Sequence, residues 1–261
     1  MSLSPVQLEV LFTPADFASL PGRDLRQTVC VVFDVFRATT TIVTALGNGA
    51  AAVIPVVEIS EALELRRQRP DVLLAGERDG WRIGAALTGG VEFDLGNSPR
   101  EFRPERIAGR TIVVTTTNGS RALRACTGAG ELLAAAFPNL AATAAHLRAR
   151  APEKIILVCS GTLERAAYED VLGAGALAAL IWPADDGRAA DSARMARNIF
   201  ELHQTDLPAA VVNSSNGRRL LGVPELRDDV ACCLERDRFD FVVGSVNGEL
   251  RRLPKSQLAA G

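Results

Sequence analysis

Nowhere does the sequence of 261 residues run through the roughly 18 uninterrupted apolar positions that a bilayer-spanning helix requires. Its first residues carry no basic stretch followed by an apolar core, so neither a membrane span nor a secretory signal is expected. Lysine is nearly missing: Lys154 and Lys255 are the two present, arginines are spread along the chain, and the net charge is -2. That balance lacks the basic tract of a nucleic-acid binder, so no nucleic-acid partner is expected. Histidine is confined to His146 and His203, both in amphipathic helical stretches with nothing to bring them to a nucleophile. A Ser-His-Asp or Cys-His mechanism is therefore not expected. Cys30, Cys126, Cys159, Cys232 and Cys233 are odd in number and show neither a C-x-x-C pair nor zinc spacing. They read as reduced thiols in a reducing compartment, and a soluble cytoplasmic protein is the expectation. Phosphate-binding G-x-x-x-x-G-K-[ST] and dinucleotide-binding G-x-G-x-x-G loops are both missing.

What is present is an alternation of short Val/Ile-rich runs with longer segments of helical period, the pattern of an α/β protein with largely parallel strands. The runs predict strands over 6–12, 28–36, 51–57, 72–77, 111–117, 131–137, 154–160 and 239–246. Helices are predicted over 39–48, 59–68, 119–127, 138–150, 167–181, 187–204 and 225–236. Strands that are apolar almost throughout imply a sheet covered on both faces. Asn-Gly at 247–248 predicts a terminal hairpin, because both residues accept positive φ. No linker divides the chain, so one domain over 1–261 is expected, with the more polar stretch 182–222 as a helical cap or subdomain.

The polar residues gather where strands end. "VVFDVFRATTT" places Asp34, Arg37 and three threonines directly behind an apolar run. A buried acid needs a cation, donors or a function, so Asp34 is the first candidate for chemistry. "TTTNGSRAL" and "CSGTLERAAYED" repeat the strand-to-polar-knot-to-helix character. In open α/β sheets, ligands bind outside the carboxyl ends of strands, which makes these junctions natural neighbours. Hydroxyls and backbone N–H groups at helix starts suit an anion, and Thr39, Thr40, Thr41, Thr116, Thr117, Asn118, Gly119, Ser120, Ser160 and Gly161 supply them. Helix capping is the simpler role for any one of them. The glycine-rich segment 76–102 adds Glu77, Arg78, Asp94, Asn97 and Ser98. Together with Glu169 and Asp170 these carboxylates form a hard-oxygen set suited to Mg²⁺. Cys159, at a strand end, reads as a buried thiol rather than a nucleophile.

Five pieces in order, "VVFDVFRATTTI" (31–42), "GERDG" (76–80), "FDLGNSP" (93–99), "TTTNGSRAL" (115–123) and "CSG…ED…GAG" (159–175), resemble the ComB family of 2-phosphosulfolactate phosphatases. The resemblance spans roughly 28–245 and includes "GRRLL" and "DV" between 217 and 230. It implies a three-layer α/β/α fold with a mixed, largely parallel sheet. It also implies Mg²⁺-dependent hydrolysis of 2-phospho-3-sulfolactate to 3-sulfolactate, a step in making coenzyme M. Two departures from the family pattern stand out. Leu163, Glu164 and Arg165 occupy a stretch that commonly carries a further glycine, and Asn216 stands where a histidine is common.

Residues and resemblance together assign Asp34, Arg37, Glu77 and Asp170 to catalysis, and Asp34, Glu77, Asp94 and Glu169 to Mg²⁺. Substrate is assigned to Thr39, Thr40, Arg78, Asn97, Ser98, Thr116, Thr117, Asn118, Gly119 and Ser120. The expected partner is a small phosphorylated, sulfonated or carboxylated substrate, and a homodimer is the expected assembly. A phosphatase for another small phosphorylated hydroxy acid, or an anion-binding module without turnover, stays open at this point.

Overall fold

A computed structural model describes residues 7–182 and 189–254. Its strands are β1 (Gln7–Leu11), β2 (Thr28–Phe33), β3 (Ala52–Val56), β4 (Leu73–Arg78), β5 (Trp81–Arg82), β6 (Thr111–Thr115), β7 (Glu131–Ala135), β8 (Lys154–Cys159), β9 (Val243–Val246) and β10 (Glu249–Arg252). Between the first eight strands run the helices α1 (Pro14–Phe17), α2 (Ala38–Gly47), α3 (Ile59–Gln68), α4 (Ala85–Thr88), α5 (Pro104–Ile107), α6 (Gly119–Ala125) and α7 (Leu140–Arg150). After β8 come α8 (Tyr168–Ile181), α9 (Asp191–His203), α10 (Leu207–Val211), α11 (Ser215–Leu221) and α12 (Arg227–Leu234). None of the helices among the described residues is long and apolar enough to cross a membrane.

The strands form one mixed, mostly parallel sheet in the order β1-β8-β2-β7-β9-β10-β3-β6-β4-β5, with helices on both faces. Alternation along β2 explains the covering. Val29, Val31 and Phe33 face a core built with α7 and α8, while Cys30 and Val32 face one built with α2 and α6. β1, β8, β2 and β7 are parallel to one another, as are β3, β6 and β4. The β9–β10 hairpin joins these two sets through three antiparallel pairings. Three reversals leave the sets running in opposite directions, so in a flat sheet their carboxyl ends would leave by opposite rims.

The sheet is not flat. Five strand-to-strand steps separate β2 from β6, and roughly 20–25° of twist per step turns the second set by a right angle or more. It wraps around α2 and α6, whose Ile42, Val43 and Leu123 share one core with Cys30 and Val32 from one set and Ile112 and Val114 from the other. The junctions after β2, β4, β6 and β8 converge for that reason.

α2 is helical although its ATTT start is a poor helix former, because β-branched side chains lose rotamer freedom there. Burial compensates: every residue from Ala38 to Leu46 is buried. The hydroxyls of Thr40 and Thr41 donate to the carbonyls of Val35 and Asn97, both at 2.9 Å, so no donor is stranded. α8 and α9 meet at Gly175, where a Cβ would stand 2.1 Å from the Ala196 carbonyl oxygen.

Asn247 and Gly248 take φ of 53° and 82°, forming the expected hairpin turn. The last predicted strand is shorter than its pattern. Residues 239–242 stay outside the sheet because Phe239 donates its N–H to the Pro138 carbonyl and packs its ring against Gly47. Of the stretch expected as a cap, residues 183–188 lie outside the described residues. α9 packs along α8 and β1 rather than over the strand ends, and α11 approaches them.

Candidate active site

β2 ends at Phe33 and delivers Asp34 to the start of α2. The Asp34 N–H donates to Thr39 Oγ1 at 2.9 Å, its carbonyl accepts the Thr39 N–H at 2.9 Å, and Oδ1 accepts the Ala38 N–H at 3.0 Å. The first N–H groups of α2 are thus satisfied by Asp34 itself. Thr39 and Thr40, expected to hold substrate, hold the turn instead. Arg37 is spent as well: Nη1 donates to Asp229 Oδ2 at 2.7 Å and Nη2 to the Gly80 carbonyl at 2.8 Å, in a pair 3% and 0% exposed. Ser98 completes that knot by donating to Asp229 Oδ1 at 2.6 Å.

From the second parallel set, β4 brings Glu77. Its Oε1 accepts the Thr117 N–H at 2.8 Å and its Oε2 the Gly80 N–H at 2.7 Å. Arg78 points away from the site, donating to the carbonyls of Glu77 and Val57 and to Thr115 Oγ1. Thr116 and Ser120 close on each other, each hydroxyl accepting the other's backbone N–H at 3.0 and 3.2 Å. Gly119 is where the two sets touch: a Cβ there would lie 2.7 Å from both Asp34 Oδ2 and Ala38 Cβ. Any other residue at 119 would push the Thr116–Ser120 turn off Asp34.

α8 contributes the acidic pair from beside β8. Asp170 accepts the Val35 N–H at 2.8 Å on Oδ1, and the Ser160 hydroxyl and Gly161 N–H at 3.0 and 3.1 Å on Oδ2. It ties the ends of β2 and β8 together. Glu169 accepts from Asn216 and Ser214. Asp94 is not brought to this cluster; its carboxylate is held by Arg66 and by the Leu74 N–H. Burial pushes the Cys159 thiol well up, so it is an inert core group.

Asp34, Arg37, Glu77, Asn97, Thr117 and Asn118 line a narrow cavity of about 60 Å³, room for roughly two waters. Asp79, Thr162, Leu163, Asn216 and Arg219 close its other side. Three buried atoms here, Asn97 Oδ1, Thr117 Oγ1 and Asn118 Oδ1, have no partner among the described residues. Orphaned polar atoms at a cavity wall mark a place built for a ligand. Burial, with the like charge of Glu77, raises the Asp34 carboxyl above the usual carboxylate range, opposed by the Ala38 N–H. Asp170 is raised well above it by burial and then by Asp34 and Glu169, and Glu169 is raised by burial.

This charge balance fits a divalent cation. Four buried acids share the region, and the nearest buried guanidinium is already paired to Asp229. Among the described residues no three His, Cys, Asp or Glu side chains form a complete ligand group. Mg²⁺ does not need one, since it keeps several waters and takes one or two carboxylates plus substrate oxygens.

Residues missed from sequence are Asp229, Arg219 and Thr162, while Asn216, noted as a departure from the family pattern, does line the cavity. Arg219 makes no ion pair among the described residues and lines the cavity, the role the sequence assigned to Arg78. Asn216 Nδ2 also donates to Thr162 Oγ1 at 2.8 Å, and both residues separate the narrow cavity from an adjoining one of about 710 Å³. The departure at 163–165 acquires a physical meaning. Thr162 and Arg165 exchange backbone bonds of 2.8 and 3.0 Å across a two-residue turn in which Leu163 and Glu164 have φ of 48° and 61°. Each left-handed non-glycine residue costs roughly 1–2 kcal/mol, and Leu163 is 75% exposed, with little packing to lose. Leu163→Gly should therefore raise stability by about 0.5–1 kcal/mol after glycine's own entropy cost, a Tm gain of roughly 1–2 °C by calorimetry. A fall in Tm would mean that the leucine side chain contributes contacts outweighing its backbone strain.

The sequence profile described as 2-phosphosulpholactate phosphatase matches residues 17–248. A probable 2-phosphosulfolactate phosphatase of Thermotoga petrophila is 41% identical over 233 residues, covering 89% of this chain and 96% of that protein. One of the same description from Caldanaerobacter subterraneus is 36% identical over 245 residues, covering 92% and 97%. Another, from Prochlorococcus marinus, is 39% identical over 221 residues, covering 81% and 86%.

Proposed function

The chain belongs to the 2-phosphosulpholactate phosphatase family and is a phosphoric monoester hydrolase, and from this premise we propose that it converts 2-phospho-3-sulfolactate to 3-sulfolactate and phosphate. The proposal includes Mg²⁺ as cofactor, a place in coenzyme M biosynthesis, a cytoplasmic location, no nucleic-acid partner and a homodimeric assembly. The observation that carries it is the meeting of Asp34 and Glu77, from oppositely running strand sets, at one cavity with unpartnered polar atoms.

Asp34 with Glu77 or Glu169 would hold Mg²⁺, and the ion, when bound, supplies Lewis-acid stabilisation of phosphoryl oxygens. The protein's own groups do the rest. Thr117 and Asn118 present hydroxyl and amide groups to the phosphate oxygens, and Arg219 supplies a guanidinium whose fork matches an anionic edge. Arg37 is fixed by Asp229 and Gly80 and adds positive potential at the wall without leaving its pair. The Glu77 carboxylate, gripped by two N–H groups, anchors the Thr117 turn to the Gly80 turn and so sets the cavity's width.

The test is phosphate release from a panel containing phosphosulfolactate, phospholactate and other phosphorylated hydroxy acids, with and without Mg²⁺. Phosphosulfolactate should give the highest kcat/KM, and Arg219→Ala should raise its KM at least about tenfold. Release from no member would remove the reaction. Preference for a substrate without sulfonate would keep the chemistry and replace the substrate.

A further inference from the structure

On the far side of Arg37 from the acids lies a second cleft of about 410 Å³, which Arg37 and Asn97 share with the narrow cavity. Its character is opposite. Arg82, Arg100, Arg103 and Arg106 line it, against Glu101 and Glu225. Glu101 is occupied in accepting the Gly96 N–H at 2.9 Å. Arg100 is directed to Asp228 and Asp229, at 3.4 and 3.6 Å. Arg82 and Arg103 form no ion pair among the described residues, and Arg106 donates only to the Asp94 carbonyl, at 2.8 Å. Three guanidinium groups therefore share one cleft without carboxylate partners among the described residues, although the chain as a whole is slightly acidic.

The wall they share also carries Trp81, 56% exposed, on the short edge strand β5. Among the described residues its indole has neither a ring partner nor a cation over its face, whereas Trp182 is covered by Arg194 and Arg197. A bare indole beside unneutralised arginines offers two complementary surfaces, one for a planar ring and one for phosphate groups. The volume suits one nucleotide-sized molecule and not a polymer.

We propose that this cleft binds a nucleoside diphosphate, its base stacked on Trp81 and its phosphates held by Arg82, Arg103 and Arg106. The site is separate from phosphate-ester hydrolysis and goes beyond that reading. It requires no metal and no turnover, so its failure and the failure of the proposed reaction are distinguishable.

The experiment is titration of the full chain with adenosine diphosphate in buffer containing a chelator, followed by calorimetry and tryptophan fluorescence. Binding below about 1 mM with fluorescence quenching is expected, with Trp81→Leu weakening it roughly tenfold and removing the quench. Arg103→Ser and Arg82→Ser should each weaken it by about tenfold, while pyrophosphate alone binds more weakly than the diphosphate nucleoside. All three side chains are exposed, so unchanged thermal melts check that the variants fold. The proposal is overturned by no binding at about 1 mM, by unchanged affinity in Trp81→Leu and Arg103→Ser, or by pyrophosphate binding as tightly.

Discussion

Asp34→Asn is expected to cut phosphate release by about 10³-fold or more while raising the melting temperature of the metal-free protein above neutral pH. The two effects have one cause. The Asp34 carboxyl is buried beside Glu77, Glu169 and Asp170, and burial raises its pKa in the folded state above its unfolded value. Below the unfolded value both states hold the proton and stability is complete. As pH rises past that value the unfolded chain ionises first, and stability is lost until the folded carboxyl also ionises. Asp170 and Glu169 are raised in the same direction, so the chelated wild type should weaken progressively from about pH 4 upward. Asparagine keeps an oxygen for the Ala38 N–H and removes one buried charge. Calorimetry at several pH values, with chelator and with Mg²⁺, measures this. Mg²⁺ should restore the wild type above neutral pH and leave the variant largely unchanged. A variant with undiminished turnover would remove Asp34 from the chemistry. A lower Tm in chelator would show that the protein alone already compensates the charge.

Asp229→Ala should cost about 3–5 kcal/mol, because it leaves the Arg37 guanidinium buried without its partner. For a chain of this length that corresponds to a Tm loss of roughly 5–9 °C. Activity should fall with it, since Arg37 bridges Asp229 to the Gly80 turn that carries one end of Glu77. Arg37→Lys separates charge from geometry: one ammonium cannot reproduce the two directed bonds of the fork, so kcat should drop although the charge stays. The double variant Arg37→Met with Asp229→Leu should recover much of the stability of Asp229→Ala and none of its activity. Chemical denaturation and steady-state kinetics on the same preparations read both. Wild-type stability in Asp229→Ala would show that the pair contributes nothing to holding the site.

Part of the site is legible because two of its acids, Asp34 and Glu77, end apolar runs. Glu169 and Asp170 stand in a helical stretch and are marked by the resemblance, and the structure brings all four together. Asp94, a loop carboxylate of the same set, has another destination. Which loop carboxylate is captured by an arginine depends on where the helix opposite lies, and Arg66 on α3 captured this one. Thr39, Thr40 and the Thr116–Ser120 pair read as anion donors, yet their hydroxyls close hydrogen bonds within their own turns, and the Thr41 hydroxyl is spent on the distant Asn97 carbonyl. Local composition cannot distinguish a donor facing a ligand from one facing its own backbone. Asp229 carries no local signal, because its partner Arg37 lies 192 positions away in the chain.

By itself the sequence determined eight of the strands and seven of the helices, the hairpin at Asn247-Gly248 and the two acids at strand ends, since each follows from spacing within a few residues, whereas β5 and the short helices α1, α4, α5, α10 and α11 carry no such signal. The family was determined the same way, through ordered motifs along one chain. Only the tertiary structure decided that two strand sets run in opposite directions and still deliver Asp34 and Glu77 to one cavity. That outcome rests on strand order and accumulated twist around α2 and α6, and on Gly119 allowing backbone contact between the sets. Strand order, twist and contact are properties of residues far apart in sequence, and no short stretch of the chain records them.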